Sequence, residues 1–144
     1  MKHDPFGNLR DWGAVLDLLD TLSKSGNLAE CQPGLVRILK FKGNWRLREE
    51  VLKRIGAISA PSIALVDQVI DVMADDNTYY DARILAADAL MQLWEKGESE
   101  ALEKAAGKVK SITGKLRNIP QPPFFEDALD RLSLQMDPTR KLEN

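Results

Sequence analysis

The chain has 144 residues, 20 Lys+Arg against 22 Asp+Glu, and a formal net charge of -2. A hydrophobic share of 44% with 29% charged residues excludes a disordered chain, and one domain of this size can bury roughly 68–70% of the surface it exposes when unfolded. The longest charge-free run near the middle, Ile55 to Val66, is 12 residues, too short to span a bilayer.

Met1 to Phe6 contains no apolar h-region, so no secretory signal is expected and a cytoplasmic location is. The single cysteine, Cys31, excludes an internal disulfide, and the single histidine, His3, excludes most histidine-based catalysis and metal binding.

Apolar spacing and breakers predict six helices and a shorter seventh. The first covers about Leu9 to Ser23, with Leu9, Trp12, Leu16, Leu19 and Leu22 at steps of three and four, and Ser25-Gly26-Asn27 stops it. The second is centred on Gly34 to Phe41, with Pro33 in its first turn and Gly43 ending it. Asn44 offers an N-cap to a third helix, Trp45 to Ile58. After Ala60-Pro61-Ser62 a fourth covers about Ser62 to Ala74. Asp75-Asp76-Asn77 is a turn and cap before a fifth, Thr78 to Glu95, and a sixth covers about Ser99 to Thr113. Asn118 to Pro123 reads as an extended strap, because proline lacks an amide donor and restricts the residue before it. Phe124 and Phe125 then open a short helix to about Met136, with Phe125, Leu129 and Leu132 as its apolar stripe, and Asp137-Pro138 ends it. No segment alternates as a strand does, so the class is all-α.

A repeat runs through this pattern. Arg48 and Arg83 lie 35 residues apart, and Asn44, Leu47, Val51, Ile55 and Ile58 fall opposite Tyr79, Ala82, Ala86, Leu90 and Leu93. Each apolar set spans about 80° of helical arc, so the two arginines occupy equivalent edges. The fourth helix is apolar over about 180°, which requires neighbours on more than one side, whereas the sixth is apolar over about 120°. Such a recurring helix pair is the sign of a short α-solenoid.

These residues resemble the HEAT-like, armadillo-type helical repeats. Asp76 to Leu90 is similar to that family's first helix, "D…VR..A..AL", and Leu47 to Gly56 looks like the same helix one repeat earlier. Pro33 to Lys40 and Ile70 to Asp76 resemble the second helix with its acidic exit turn. The likeness covers roughly Leu9 to Leu116 and is weak in the first pair, where no arginine aligns. It implies a right-handed superhelix of about three antiparallel helix pairs that binds another macromolecule. Residues 1–117 would form the repeat domain, and residues 118–144 a strap and C-terminal capping helix on the same domain.

Charge is blocky. Residues 42 to 58 balance at +3, residues 59 to 103 at -8 and residues 104 to 118 at +5. Stacked pairs would put Arg37 and Lys40, then Asp67 and Asp71, then Lys104 and Lys108 along one face, positive, negative, positive. These six are the candidate partner-binding residues, by electrostatic complementarity to a protein; the plainer reading is a solvated face. The basic helix of 104–117 offers nucleic-acid binding as the alternative, but the adjacent -8 block would repel phosphates.

Arg48 and Arg83 are expected to bond to carboxylates or carbonyls of a neighbouring layer, with Asp81 or Asp88 available. Trp12, Trp45 and Trp94 are expected to fill gaps between helices, with Trp45 or Tyr79 as the alternative binding anchor. The segment from Pro120 to Phe125 is expected to cover an end of the stack, or else to dock into an aromatic groove. Cys31 reads as a small buried hydrophobe and His3 as part of a mobile tail. No phosphate-cradling glycine motif or calcium loop occurs, and paired carboxylates such as Asp67 and Asp71 read as ordinary. DNA-repair glycosylases and bilin lyases occur among HEAT-like proteins, but they need pockets and usually longer chains. The expectation is a non-catalytic adaptor, scaffold, or inhibitor or immunity-type subunit, without cofactor, metal or membrane, and of open oligomeric state.

Overall fold

Local chemistry sets the helix ends. In the computed structural model, which describes residues 3–97 and 99–136, α1 (Trp12–Ser25) ends where Gly26 takes a left-handed φ of 76° and Asn27 N–H bonds back to the Leu22 carbonyl. A 3-10 turn, Leu28–Cys31, leads into α2 (Gln32–Lys40), with Pro33 in its first turn. Asn44 caps α3 (Trp45–Ile55) by accepting from the Arg46 amide at 2.9 Å. Ser62 caps α4 (Ile63–Ala74), and Ser99 caps α6 (Glu100–Arg117). Before α5 (Tyr80–Glu95), Asp75 accepts from the Asn77 amide and the Thr78 hydroxyl. The last helix is α7 (Pro123–Met136). No strand occurs among the described residues.

Boundaries differ from the sequence reading in instructive places. Leu9 is buried but precedes α1. The Ile58 amide bonds to Ile55 in a turn beyond the end of α3. Pro123 is helical, since a first-turn residue needs no amide donor, so the strap is shorter than expected. It is tied down by Gln121, whose side-chain amide donates to the Leu116 carbonyl at 2.9 Å. The expected stop at Asp137-Pro138 lies outside the described residues.

The N-terminal tail is docked. The Gly34 amide donates to the His3 carbonyl at 3.1 Å, and Phe6 is buried against α2. A Cβ on Gly34 would lie 2.6 Å from the Phe6 ring, so only glycine admits this close approach.

The helices form two rows joined by one core. α1, α3, α5 and α7 each touch the next in that series, as do α2, α4 and α6; contacts of α2 with α3, α4 with α5, and α6 with α7 join the rows. Trp45 meets Tyr79 at the N-terminal ends of α3 and α5, and Gly56 meets Gln92 toward their C-terminal ends, so these two helices run side by side in the same direction. The wide apolar arc of α4 is explained by its three neighbours, α2, α5 and α6: Leu65, Val66, Val69, Ile70, Val72 and Met73 are all buried. Ile63, at its first position, is exposed.

The 35-residue relation appears in the arginines. Arg48 Nε donates to the Leu39 carbonyl at 3.1 Å and Arg83 Nε to the Met73 carbonyl at 2.9 Å, each in the last turn of the preceding helix. This satisfies carbonyls that a helix end leaves without intrahelical partners. Neither Asp81 nor Asp88 serves them: Arg83 has Asp76 at 3.6 Å, while Asp88 faces Arg131 of α7 at 3.4 Å. The Arg83 guanidinium also lies 5.1 Å from the Tyr80 ring centre and 4.7 Å from that of Phe125, the fully buried anchor of α7.

Candidate functional site

Of the six charged candidates, three come together. Lys108 of α6 reaches across to α4, with its ammonium 3.7 Å from Asp67 and 3.6 Å from Asp71. The others are placed apart. Arg37 turns to the N-terminal segment, where Nε and Nη2 grip the Asp4 carboxylate at 2.6 and 2.9 Å and Nη2 also donates to the Gly7 carbonyl. That bidentate contact holds the Asp4 carboxyl below the usual carboxylate range. Lys104 pairs along its own helix with Glu100 at 2.9 Å, and Lys40 is exposed at the end of α2.

A second surface is legible in the sequence only in part, through the alternative that makes Trp45 or Tyr79 a binding anchor. Trp12, expected to fill a gap between helices, is 48% exposed, and Trp45, expected to do the same, is 57% exposed; only Trp94 is buried. With Tyr79, Tyr80 and the 80%-exposed Phe124, they give an exposed aromatic to the N-terminal end of each of α1, α3, α5 and α7. The physical reason is directional. A helical side chain leans toward the N-terminus and covers the turn before it. At a first or second helical position there is no preceding turn to cover, so the ring projects past the end. The available signal was this position in each helix, not wheel angle.

The most developed part of this edge lies between α3 and α5. The Trp45 and Tyr79 rings meet edge to face, 6.1 Å between centres and 82° between planes. Together with Glu49 and Asp81 they line a mostly apolar pocket of about 330 Å³. The Tyr79 hydroxyl lies 2.8 Å from a Glu49 carboxylate oxygen, to which it donates. Burial first, then the Glu49 hydrogen bond and the Glu49 and Asp81 charges, push the Tyr79 phenol far above its ordinary value. It stays a neutral donor at physiological pH.

Other candidate chemistry is sparse. Cys31 is buried, and burial pushes its thiol up, away from nucleophilic thiolate. His3 Nδ1 sits 3.1 Å from the Glu30 carbonyl. Among the described residues, no group of three or more His, Cys, Asp or Glu side chains is placed to hold a metal ion, and no helix is long and apolar enough to cross a membrane. The chain matches no family model, no curated protein and no solved structure.

Proposed function

We propose that this chain is a non-catalytic protein-interaction module, a short HEAT-like solenoid of about three helix pairs closed by α7, working as an adaptor, scaffold or inhibitory subunit. The observation that carries the reading is the aromatic edge: Trp12, Trp45, Tyr79, Tyr80 and Phe124 are exposed at the ends of four helices that touch in series. Exposed aromatics are costly to leave in water and are the side chains most enriched at the energetic centres of interfaces. Two rows of helices, with each helix touching the second one along, and the matching Arg48 and Arg83 bonds support the repeat architecture. Lys108 with Asp67 and Asp71 between α6 and α4, and Lys40 and Lys104 placed apart from them, add charge that steers approach.

Nucleic acid is the weaker reading. Lys104, Lys108 and Arg117 of the basic helix each have an acidic neighbour, Glu100, Asp67 with Asp71, and Asp130, which competes with phosphate.

The test is capture from native lysate by the tagged chain, with mass identification of what is retained, beside a folded variant carrying Trp12→Ala, Trp45→Ala, Tyr79→Ala and Phe124→Ala. A partner retained by the parent and lost by the variant is the expected result. Equal retention by both removes the aromatic edge from the reading, and retention of nothing but nuclease-sensitive complexes favours nucleic acid instead.

A further inference from the structure

The pocket between α3 and α5 has a chemistry of its own. Its walls are two aromatic rings, Trp45 and Tyr79, and two carboxylates, Glu49 and Asp81. Among the described residues no lysine or arginine comes within ion-pair distance of either carboxylate, whereas the neighbouring Glu50 is held by both Lys53 and Arg54 at 3.1 and 2.6 Å. Arg48, the cation beside Tyr79, is buried and directed inward to the Leu39 carbonyl. The Trp45 ring already attracts one guanidinium, that of Arg46 at 6.0 Å, which borders an adjoining cleft against α1 that Trp45 and Glu49 also line.

We propose that the Trp45–Glu49–Tyr79–Asp81 pocket receives a lysine or arginine side chain from a basic segment of a partner protein. The charged head would sit against the aromatic faces and between the carboxylates, while its methylene stem covers the apolar wall. Tyr79 positions the Glu49 carboxylate through its 2.8 Å hydrogen bond, so the acceptor is held in place before a ligand arrives. This deepens the interaction-module reading and rests on it.

The test titrates the full chain with an oligolysine peptide by calorimetry, with oligoglutamine as the neutral control. The parent should bind oligolysine saturably and oligoglutamine not at all. Glu49→Gln with Asp81→Asn should weaken oligolysine binding by roughly fivefold or more, and Trp45→Ala by a similar factor. The control variant Glu30→Gln with Glu103→Gln removes the same number of negative charges from exposed positions outside the pocket and should change affinity less than about twofold. Equal losses in the two double variants would reduce the effect to bulk charge and overturn the proposal, as would absence of oligolysine binding by the parent. If oligolysine fails but the lysate partner still depends on the aromatic edge, the pocket's preference falls and the interaction-module reading survives. Loss of both dependences removes both.

Discussion

The charged face of α4 and α6 and the N-terminal edge of α1, α3, α5 and α7 handle their exposed side chains in opposite ways. On the row of α2, α4 and α6, charges largely neutralise one another within the molecule: Lys108 with Asp67 and Asp71, Lys104 with Glu100. At the N-terminal edge of α1, α3, α5 and α7, aromatic rings are left in solvent beside the uncompensated carboxylates Glu49 and Asp81. An exposed ion pair already has most of what a partner could offer it, whereas an exposed ring gains by being covered. The edge therefore has more free energy to release on docking than the charged face does.

The adjacent residues Phe124 and Phe125 divide this contrast between them. Phe125 is fully buried against the Arg83 guanidinium, and Phe125→Ala should cost about 3–5 kcal/mol in chemical denaturation. Phe124→Ala should change stability by less than about 0.5 kcal/mol while weakening partner capture. A large stability loss at Phe124 would make that ring structural and break the comparison.

Glycines test the rows next. A Cβ on Gly56 would lie 2.8 Å from the Gln92 Cβ, wedging α3 from α5, so Gly56→Ala should cost about 1–3 kcal/mol. Gly114, in α6, has open space there, and Gly114→Ala should instead stabilise by about 0.5–1 kcal/mol. Thermal melts of the two variants should move in opposite directions.

Acid distinguishes two carboxylates. Asp4 is held low, first by its hydrogen bond from Arg37, so its contribution is present above the unfolded value of 3.8 and is lost as pH falls through the lower folded value. Asp88 is raised, chiefly by burial, and its Oδ1 has no hydrogen-bond partner. Its folded state binds the proton more tightly than the unfolded chain, so that contribution is present below 3.8 and is lost as pH rises through the raised folded value. Asp88→Asn should raise the melting temperature at neutral pH and flatten that part of the profile, whereas Asp4→Asn should lower it at neutral pH and leave it nearly unchanged in strong acid.

The smallest effect belongs to the charged row. Lys108→Ala should cost no more than about 1 kcal/mol, because its carboxylate partners are half-exposed and screened. A larger loss, measured as a shift in denaturant midpoint, would mean the pairing of α4 with α6 depends on that lysine.

Helical class, helix order and most of the core were legible because they depend on local chemistry. Apolar residues at steps of three and four mark the buried stripe, and Asn44, Ser62 and Gly26 mark ends through bonds made within a turn. The shared spacing of α3 and α5 was legible for the same reason, since Leu47, Val51 and Ile55 are buried as Ala82, Ala86 and Leu90 are. The candidate site was less so. Spacing could put Asp67 and Asp71 on one face of α4 but could not tell that Lys108 of another helix would bridge them, nor that Asp4 would take Arg37.

What the amino-acid order determined alone was roughly where most helices lie, which stripe each buries, and that α3 and α5 bury apolar residues at the same spacing. Tertiary structure decided which charges met and which aromatics stayed wet. The reason is range: helix hydrogen bonds and caps act within about four residues. The burial of a ring at a helix end, by contrast, depends on whether another chain segment passes over it. At Trp45 and Phe124 none of the described residues does so enough to cover the ring.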